Sequence, residues 1–490
     1  MADNNKKPSI TVLGLGPGDP QLLTRQAWAV LESSTEIYLR TRQHPTTAGF
    51  PAGLKVISFD DYYQDGKSFS EVYQRIVDRL IEVSRSQGSV VYAVPGDPLV
   101  AEQTTLLLLE RAAEEGYDLR VLPGVSFLEP TLAALEVDPL PQMTLSDAVE
   151  ISAWHTPPFP PDIPVLIGQI YSIPTASNLK LTLMGVYPDE HPVILVHDAG
   201  LPTQTREDLA LYEIDRSKQI GLRSALYVPP LGEGTSLEAF QNVIARLRAP
   251  GGCPWDREQT HQSLRPNLLE ETYEALEALD NEDPAAMCEE FGDLLLQIVL
   301  HAQIASEYGE FTLNDVFQGI YTKIVRRHPH VFQELELEES DAVIKNWEKL
   351  KARERKMNGQ VEKGLLDGVS LSLPSLTQGL TYQKRAARVG FEWDRIEGVL
   401  DKIAEEAAEI QAAATLEEKE SELGDLLFAV VNLARWLEVD AESALRGANQ
   451  RFKRRFGHIE QRARDLNREL SEMSLEEMDK LWDEAKDLGE

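Results

Sequence analysis

Along the first half of the chain, short runs of β-branched and aliphatic residues alternate with longer stretches whose apolar positions recur every three or four residues. The runs at 10–13, 89–94, 165–167 and 193–196 have the length and composition of buried strands, whereas 69–86 and 104–115 carry a helical stripe. This alternation predicts an α/β architecture. A last strand-like run, 225–228, is closed by Pro229, Pro230, Gly232 and Gly234, residues that interrupt regular structure and place a domain boundary near 232. Beyond it the apolar positions follow helical spacing, as at Leu268, Leu269, Tyr273, Leu276 and Leu279. Residues 1–250 hold 23 prolines and residues 251–490 only 5, which two different folds explain and one does not. A polar stretch at about 333–364, with a basic patch around 351–356, divides the helical half. The expected organisation is therefore an α/β domain over 1–231, a first helical unit over 232–350, and a linker with a second helical unit over 351–490.

The helical half repeats itself. EETYE at 270–274 returns as EEAAE at 405–409, and EEFGDLLLQIV at 289–299 as SELGDLLFAVV at 421–431. Gly319, Lys323, Arg326, Arg327 and His330 return 128 positions later as Gly447, Arg451, Arg454, Arg455 and His458. Three blocks in one order argue for duplication. Within each copy, residues three apart share a helix face, so Glu271 pairs with Glu274 and Glu290 with Asp293; the second copy offers Glu406, Glu409, Glu422 and Asp425. If the short connection at 281–284 makes the two helices antiparallel neighbours, four carboxylates converge above a leucine core. Such an all-oxygen cluster suits Mg²⁺ or Mn²⁺ better than Zn²⁺, and ions of this kind recruit phosphate oxygens. Single ExxE pairs are usually solvated surface. Here the acids run directly into core-like sequence, at 294–296 and again at 426–428.

Charge and cysteine content narrow the function classes. With 81 acidic and 48 basic residues the net charge is −33, which disfavours nucleic acid and anionic membranes as partners. Acidity concentrates after residue 250, with 50 acids against 29 bases. Only Cys253 and Cys288 are present, too few for a disulfide framework, and no early stretch has the apolar core of a signal peptide; a cytoplasmic setting is expected. His261, His301, His328 and His330 form no HxxxH or HExxH pattern and are read as structural, as are Cys253, Trp255 and Trp347.

The helical half resembles the MazG nucleoside triphosphate pyrophosphohydrolases. The resemblance is carried by RLRAPGGCPWDREQTHQSL at 246–264, LLEETYEAL at 268–276, RRHPHVF at 326–332, NWE at 346–348, GFEW at 390–393 and RFKRRF at 451–456. It implies an all-α duplicated unit that binds Mg²⁺ and splits NTPs into NMP and pyrophosphate. It also implies metal ligands Glu271, Glu274, Glu290 and Asp293 in one copy and Glu406, Glu409, Glu422 and Asp425 in the other. Glu270 and Glu405 are the candidate proton acceptors for an attacking water. Lys384, Arg385, Arg451, Arg454 and Arg455 are candidates for holding phosphates, and Trp393 for stacking on a base or packing in the core. Dimerisation through the helices is the assembly that the resemblance implies, and the C-terminal copy is its usual catalytic one.

The first half resembles the tetrapyrrole (precorrin/uroporphyrin) methylases, through ITVLGLGPGDPQLLT at 10–24, VVYAVPGDPLVAE at 90–102, RVLPGVSFLEPTLAAL at 120–135 and SALYVPP at 224–230. GLGPGDP is not a GxGxxG loop, since Pro17 and Asp19 stand where pyrophosphate would be cradled. The resemblance implies S-adenosylmethionine as cofactor, with Leu15, Gly16, Pro17, Gly96, Asp97, Val100 and Ser126 as contacts. WHTPPFPPDIP at 154–164 gives no indication of the methyl acceptor. In this order the two halves resemble the YabN-type fusion of a methylase-like domain with a MazG unit. The expected function is an Mg²⁺-dependent pyrophosphohydrolase. The alternatives are a methyltransferase regulated by its helical unit, and a non-enzymatic helical scaffold.

Overall fold

The computed structural model describes residues 7–65, 68–332 and 364–489. It forms two compact units, Met1–Arg257 and Glu258–Glu490. NWE at 346–348, with Trp347, and the basic patch at 351–356 lie outside the described residues.

The first unit contains two five-stranded sheets. One is wholly parallel, in the order β3-β2-β4-β1-β5, with β1 Ser9–Gly14, β2 Glu36–Leu39, β3 Lys55–Ser58, β4 Ser89–Val94 and β5 Asp118–Leu122. Its strands read as continuous apolar runs because helices cover both faces. On one side Ile76 and Leu80 pack with Ile10, Val12 and Tyr92; on the other Ala27 and Leu31 pack with Leu13, Ile37 and Leu39. The helix Phe69–Gln87 that supplies Ile76 and Leu80 is fixed at both ends. The Ser68 hydroxyl accepts from the Glu71 N–H, and Gly88 closes it at φ +83°. The second sheet is mixed, in the order β6-β7-β10-β8-β9, with β6 Thr144–Asp147, β7 Val165–Gly168, β8 Pro192–His197, β9 Thr205–Ala210 and β10 Ser224–Val228. Only β6 and β7 are parallel; β10 and β9 run antiparallel to their neighbours. The α/β alternation therefore describes the first sheet well and misses the antiparallel part of the second.

The second unit is helical. Arg265–Asp280, Pro284–Glu307 and Leu313–Arg327 form the first copy, and Ile396–Ala412, Leu416–Trp436 and Ala441–Asp465 the second, preceded by Ser375–Ala387 and followed by Leu475–Asp487. Each acid-bearing pair is joined by a three-residue turn whose exit is capped. The Asp283 carboxylate accepts from the N–H groups of Ala285 and Ala286, and Thr415 with Glu418 forms a capping box. A turn that short returns the second helix against the first.

One buried group of the first unit has a calculable effect on stability. The segment 44–49 is clamped onto the loop after β1: the Thr46 hydroxyl donates to the Leu15 carbonyl at 3.0 Å, and a Cβ on Gly49 would stand 2.6 Å from Pro20. His44 is only 8% exposed and its Nδ1 has no hydrogen-bond partner. Burial, and secondly the Arg223 guanidinium, push its pKa down to about 4 from 6.5. Because the folded pKa lies below the unfolded one, the stability that neutral His44 preserves is complete above pH 6.5 and is lost as pH falls towards 4, at most about 3 kcal/mol. Protection factors of the β1 amides, corrected for the intrinsic pH dependence of exchange, should fall over that interval in the native chain and much less in His44→Asn; an equal fall in both would refute the assignment.

Candidate functional site

The first acid cluster forms where Arg265–Asp280 and Pro284–Glu307 pack side by side. Glu271, Glu274 and Glu290 each bring a carboxylate oxygen within 4.8 Å of the others. Asp293 lies outside that set yet acts on it. Partial burial, then the charges of Asp293, Glu274 and Glu290, raise the Glu271 carboxyl above its usual range. Glu290 is raised in the same way, by desolvation and then by Glu274, Glu289 and Asp293. The neighbouring Glu270 is solvent-exposed.

The second cluster is built alike and balanced differently. Glu406, Glu409 and Glu422 bring oxygens within 4.8 Å, with Glu406 only 4% exposed. Glu422 is raised by desolvation and by the charges of Glu409, Glu406 and Asp425. Glu406 is lowered instead, because the Lys402 ammonium stands 2.6 Å from it; the same ammonium lies 3.1 Å from Glu405. Lys402 was missed in the sequence, although its i→i+4 spacing to Glu406 is the usual signal for such a pair. The corresponding residue of the first copy, four before Glu271, is Asn267. Glu405, the candidate proton acceptor of this copy, is thus already engaged by a cation.

The other candidates are dispersed. Lys384 is exposed near the end of Ser375–Ala387. Arg385 donates to the carbonyls of Leu365 at 3.2 Å and Asp367 at 2.8 Å, which occupies it as a tether for that turn. Trp393 lies over Gly398, where a Cβ would be 2.9 Å from the indole, so the ring packs on the helix start while remaining 46% exposed. Arg451, Arg454 and Arg455 share Ala441–Asp465; the Arg455 guanidinium lies 5.5 Å over the Trp482 ring, and Phe452 packs on the same indole at 5.3 Å. Trp482 is thus an aromatic beside this basic segment. His261 and His301 stack, with their Nδ1 atoms 2.8 Å apart, as a structural pair.

In the first unit the loops leaving β1, β4 and β5 cross at one edge of the sheet. Gly16 and Gly96 exchange main-chain hydrogen bonds at 3.2 and 2.8 Å. The backbones are so close that a Cβ on Gly14 would meet the Gly96 oxygen at 2.5 Å and Gly124 Cα at 2.7 Å. Leu15, Gly16, Pro17, Gly96, Asp97, Val100 and Ser126 all lie on these three loops, at the strand C-termini where α/β sheets take ligands. Asp97 is the clasp. One of its oxygens accepts from the Leu99 N–H at 2.8 Å and the other from the Gly124 N–H at 2.9 Å. The buried Ser126 hydroxyl donates to Glu129 at 2.7 Å. These two side chains are therefore committed to loop geometry.

Comparison with known proteins places both units. Residues 9–215 match the family described as Tetrapyrrole (Corrin/Porphyrin) Methylases, and residues 259–332 the MazG nucleotide pyrophosphohydrolase domain. The chain is 42% identical over 493 residues to the uncharacterized protein YabN of Bacillus subtilis (strain 168), covering 98% of each. It is 43% identical over 253 residues to the nucleoside triphosphate pyrophosphohydrolase/pyrophosphatase MazG of Thermotoga maritima, covering 52% of this chain and 96% of that one. It is also 43% identical over 256 residues to the nucleoside triphosphate pyrophosphohydrolase of Escherichia coli (strain K12), covering 51% of this chain and 97% of that one. The chain belongs to the YabN family, in which a tetrapyrrole methylase-type α/β domain precedes a helical unit of the MazG type.

Proposed function

We propose that the helical unit is an Mg²⁺-dependent nucleoside triphosphate pyrophosphohydrolase, and that the α/β unit binds S-adenosylmethionine for methyl transfer. The observation that carries the first part is the twin carboxylate cluster. Three oxygen donors within 4.8 Å, on two packed helices, with Glu271 and Glu422 raised by desolvation and then by their neighbours' charges, form a hard-ligand set that fits Mg²⁺ or Mn²⁺. Glu271, Glu274 and Glu290, with Asp293 beside them, would hold ions in one copy, and Glu406, Glu409 and Glu422, with Asp425, in the other. A bound ion would supply neutralisation of phosphate oxygens and acidification of a water.

The protein's own groups do the rest. Glu270 in the first copy stands next to the ligands as a proton acceptor. Lys402 in the second keeps Glu406 ionised and offers an ammonium beside the cluster where a phosphate oxygen would accept. Arg451, Arg454 and Arg455 supply further donors, and Trp482 an aromatic face for a base. This asymmetry favours the second copy as the principal site. Glu409→Gln with Glu422→Gln should lower pyrophosphate release by about 100-fold, and Glu274→Gln with Glu290→Gln by much less. The reverse order would transfer the chemistry to the first copy. EDTA should abolish release and Mg²⁺ or Mn²⁺ restore it.

The matching family and the three-loop crossing support the cofactor reading of the α/β unit. Calorimetry should detect one S-adenosylhomocysteine per chain, unchanged by Glu409→Gln with Glu422→Gln. No binding would remove the cofactor from the proposal.

We also propose a homodimer formed through the helices. Phe317, Ile320, Tyr321 and Ile324 form an exposed apolar stripe at i, i+3, i+4 and i+7, with Tyr321 70% exposed. Light scattering should return twice the 54.9 kDa chain mass, falling to the single-chain mass in Ile320→Glu with Ile324→Glu. A native chain of single mass would overturn the dimer.

A further inference from the structure

The helix Ala441–Asp465 has a second polar face that takes no part in the proposed hydrolytic site. Arg446, Asn449, Gln450 and Lys453 recur at i, i+3, i+4 and i+7, so they form one stripe, turned away from Arg451 and Arg455. This stripe faces Tyr273 and Glu277 of the first copy across a cavity of about 300 Å³. The 128-residue repeat separates the two faces. Arg451, Arg454 and Arg455 have basic counterparts in Lys323, Arg326 and Arg327, whereas Arg446 and Lys453 correspond to Gln318 and Val325. The cations of the cavity are thus present in one copy only, outside the duplicated set.

The lining has the chemistry of a nucleotide site. Arg446 is anchored by the Asp280 carboxylate at 3.4 Å, and Lys453 has no ion-pair partner among the described residues. Along the helix the two cations stand about 10 Å apart, with the Asn449 and Gln450 amides between them. Tyr273 opposes them with a ring that is 48% exposed. We propose that this cavity between the two copies binds a nucleoside monophosphate. Lys453 and Arg446 take the phosphate, Tyr273 stacks on the base, the amides read its edge, and Glu277 accepts from ribose hydroxyls, a usual role for a carboxylate beside a nucleoside. Its volume, at the lower limit for ligand pockets, suits a single phosphate better than an extended triphosphate. An occupant would bridge Arg265–Asp280 and Ala441–Asp465, and so couple the two copies.

The proposal goes beyond the hydrolytic reading and is tested apart from it, because the acid clusters need a divalent ion and this cavity does not. Equilibrium dialysis of the full chain in EDTA, with AMP, GMP, CMP and inorganic phosphate as probes, should show one nucleoside monophosphate per chain, bound more tightly than phosphate. Arg446→Ala with Lys453→Ala should weaken it by about tenfold or more. The single exposed change Lys453→Gln, which does not endanger folding, should weaken it in the same direction. Tyr273→Ala should reduce nucleotide binding towards that of phosphate. No binding in EDTA, or binding unchanged by Lys453→Gln, would overturn the site; phosphate binding as tightly as the nucleotides would overturn the nucleoside assignment.

Discussion

Like-charge crowding is the constraint on which the helical unit is organised. Each copy holds three carboxylates within 4.8 Å, and such a group resists approach because every added negative charge raises the cost of ionising the next. Helix packing overcomes that resistance. Buried residues further along the same helices, such as Val299, Leu300 and Ile304 after the first cluster and Ala429 and Val431 after the second, fix the partners in position. Capped three-residue turns leave little freedom for the pairs to splay. The result is a group of carboxylates held together against their own repulsion in each copy.

The two copies relieve that repulsion unequally. In the second, Lys402 forms an ion pair with the nearly buried Glu406 and lowers its carboxyl, leaving Glu422 as the raised member. In the first, Asn267 occupies the corresponding position and Glu271 and Glu290 both remain raised. Duplicated acids with divergent cations are what two specialised copies would show. Arg446 and Lys453 extend the same divergence to the opposite face of Ala441–Asp465.

What was legible in the sequence was whatever depends on local period. The strands at 10–13, 89–94, 165–167 and 193–196 lie within β1, β4, β7 and β8, because buried strands are continuous apolar runs. The ExxE and ExxD pairs were legible because helical spacing alone puts them on one face. Features that depend on which elements meet were not. The antiparallel pairing of β8, β9 and β10 leaves no mark within any one strand. Asp97 is read as a ligand contact from its motif, yet its carboxylate closes on Gly124 from a loop 27 residues away. Trp482 lies beside Arg455 only because Leu475–Asp487 folds back on Ala441–Asp465. A fourth repeated block was also there to be read: GCPWDR at 252–257 returns as GFEWDR at 390–395, and its offset of 138 continues the series 135, 132 and 128 of the other three.

The charge distribution bears on how substrate reaches such a site. After residue 250 the chain carries 50 acids and 29 bases, a field that repels a free triphosphate. A triphosphate already complexed with a divalent ion has lost much of its charge, and under the proposed function would meet carboxylates that bind the ion rather than repel the phosphate. An acidic field would therefore favour the complexed triphosphate over the bare one. The cations that the proposal assigns to the phosphates are few and local: Lys402 at the second cluster, and Arg451, Arg454 and Arg455 on Ala441–Asp465. A generally basic surface would bind any polyanion. An acidic surface with isolated cations at defined positions would admit only ligands that bring a metal or fit a particular pocket, and the two proposals assign these conditions to separate places, the carboxylate clusters and the Tyr273–Lys453 cavity.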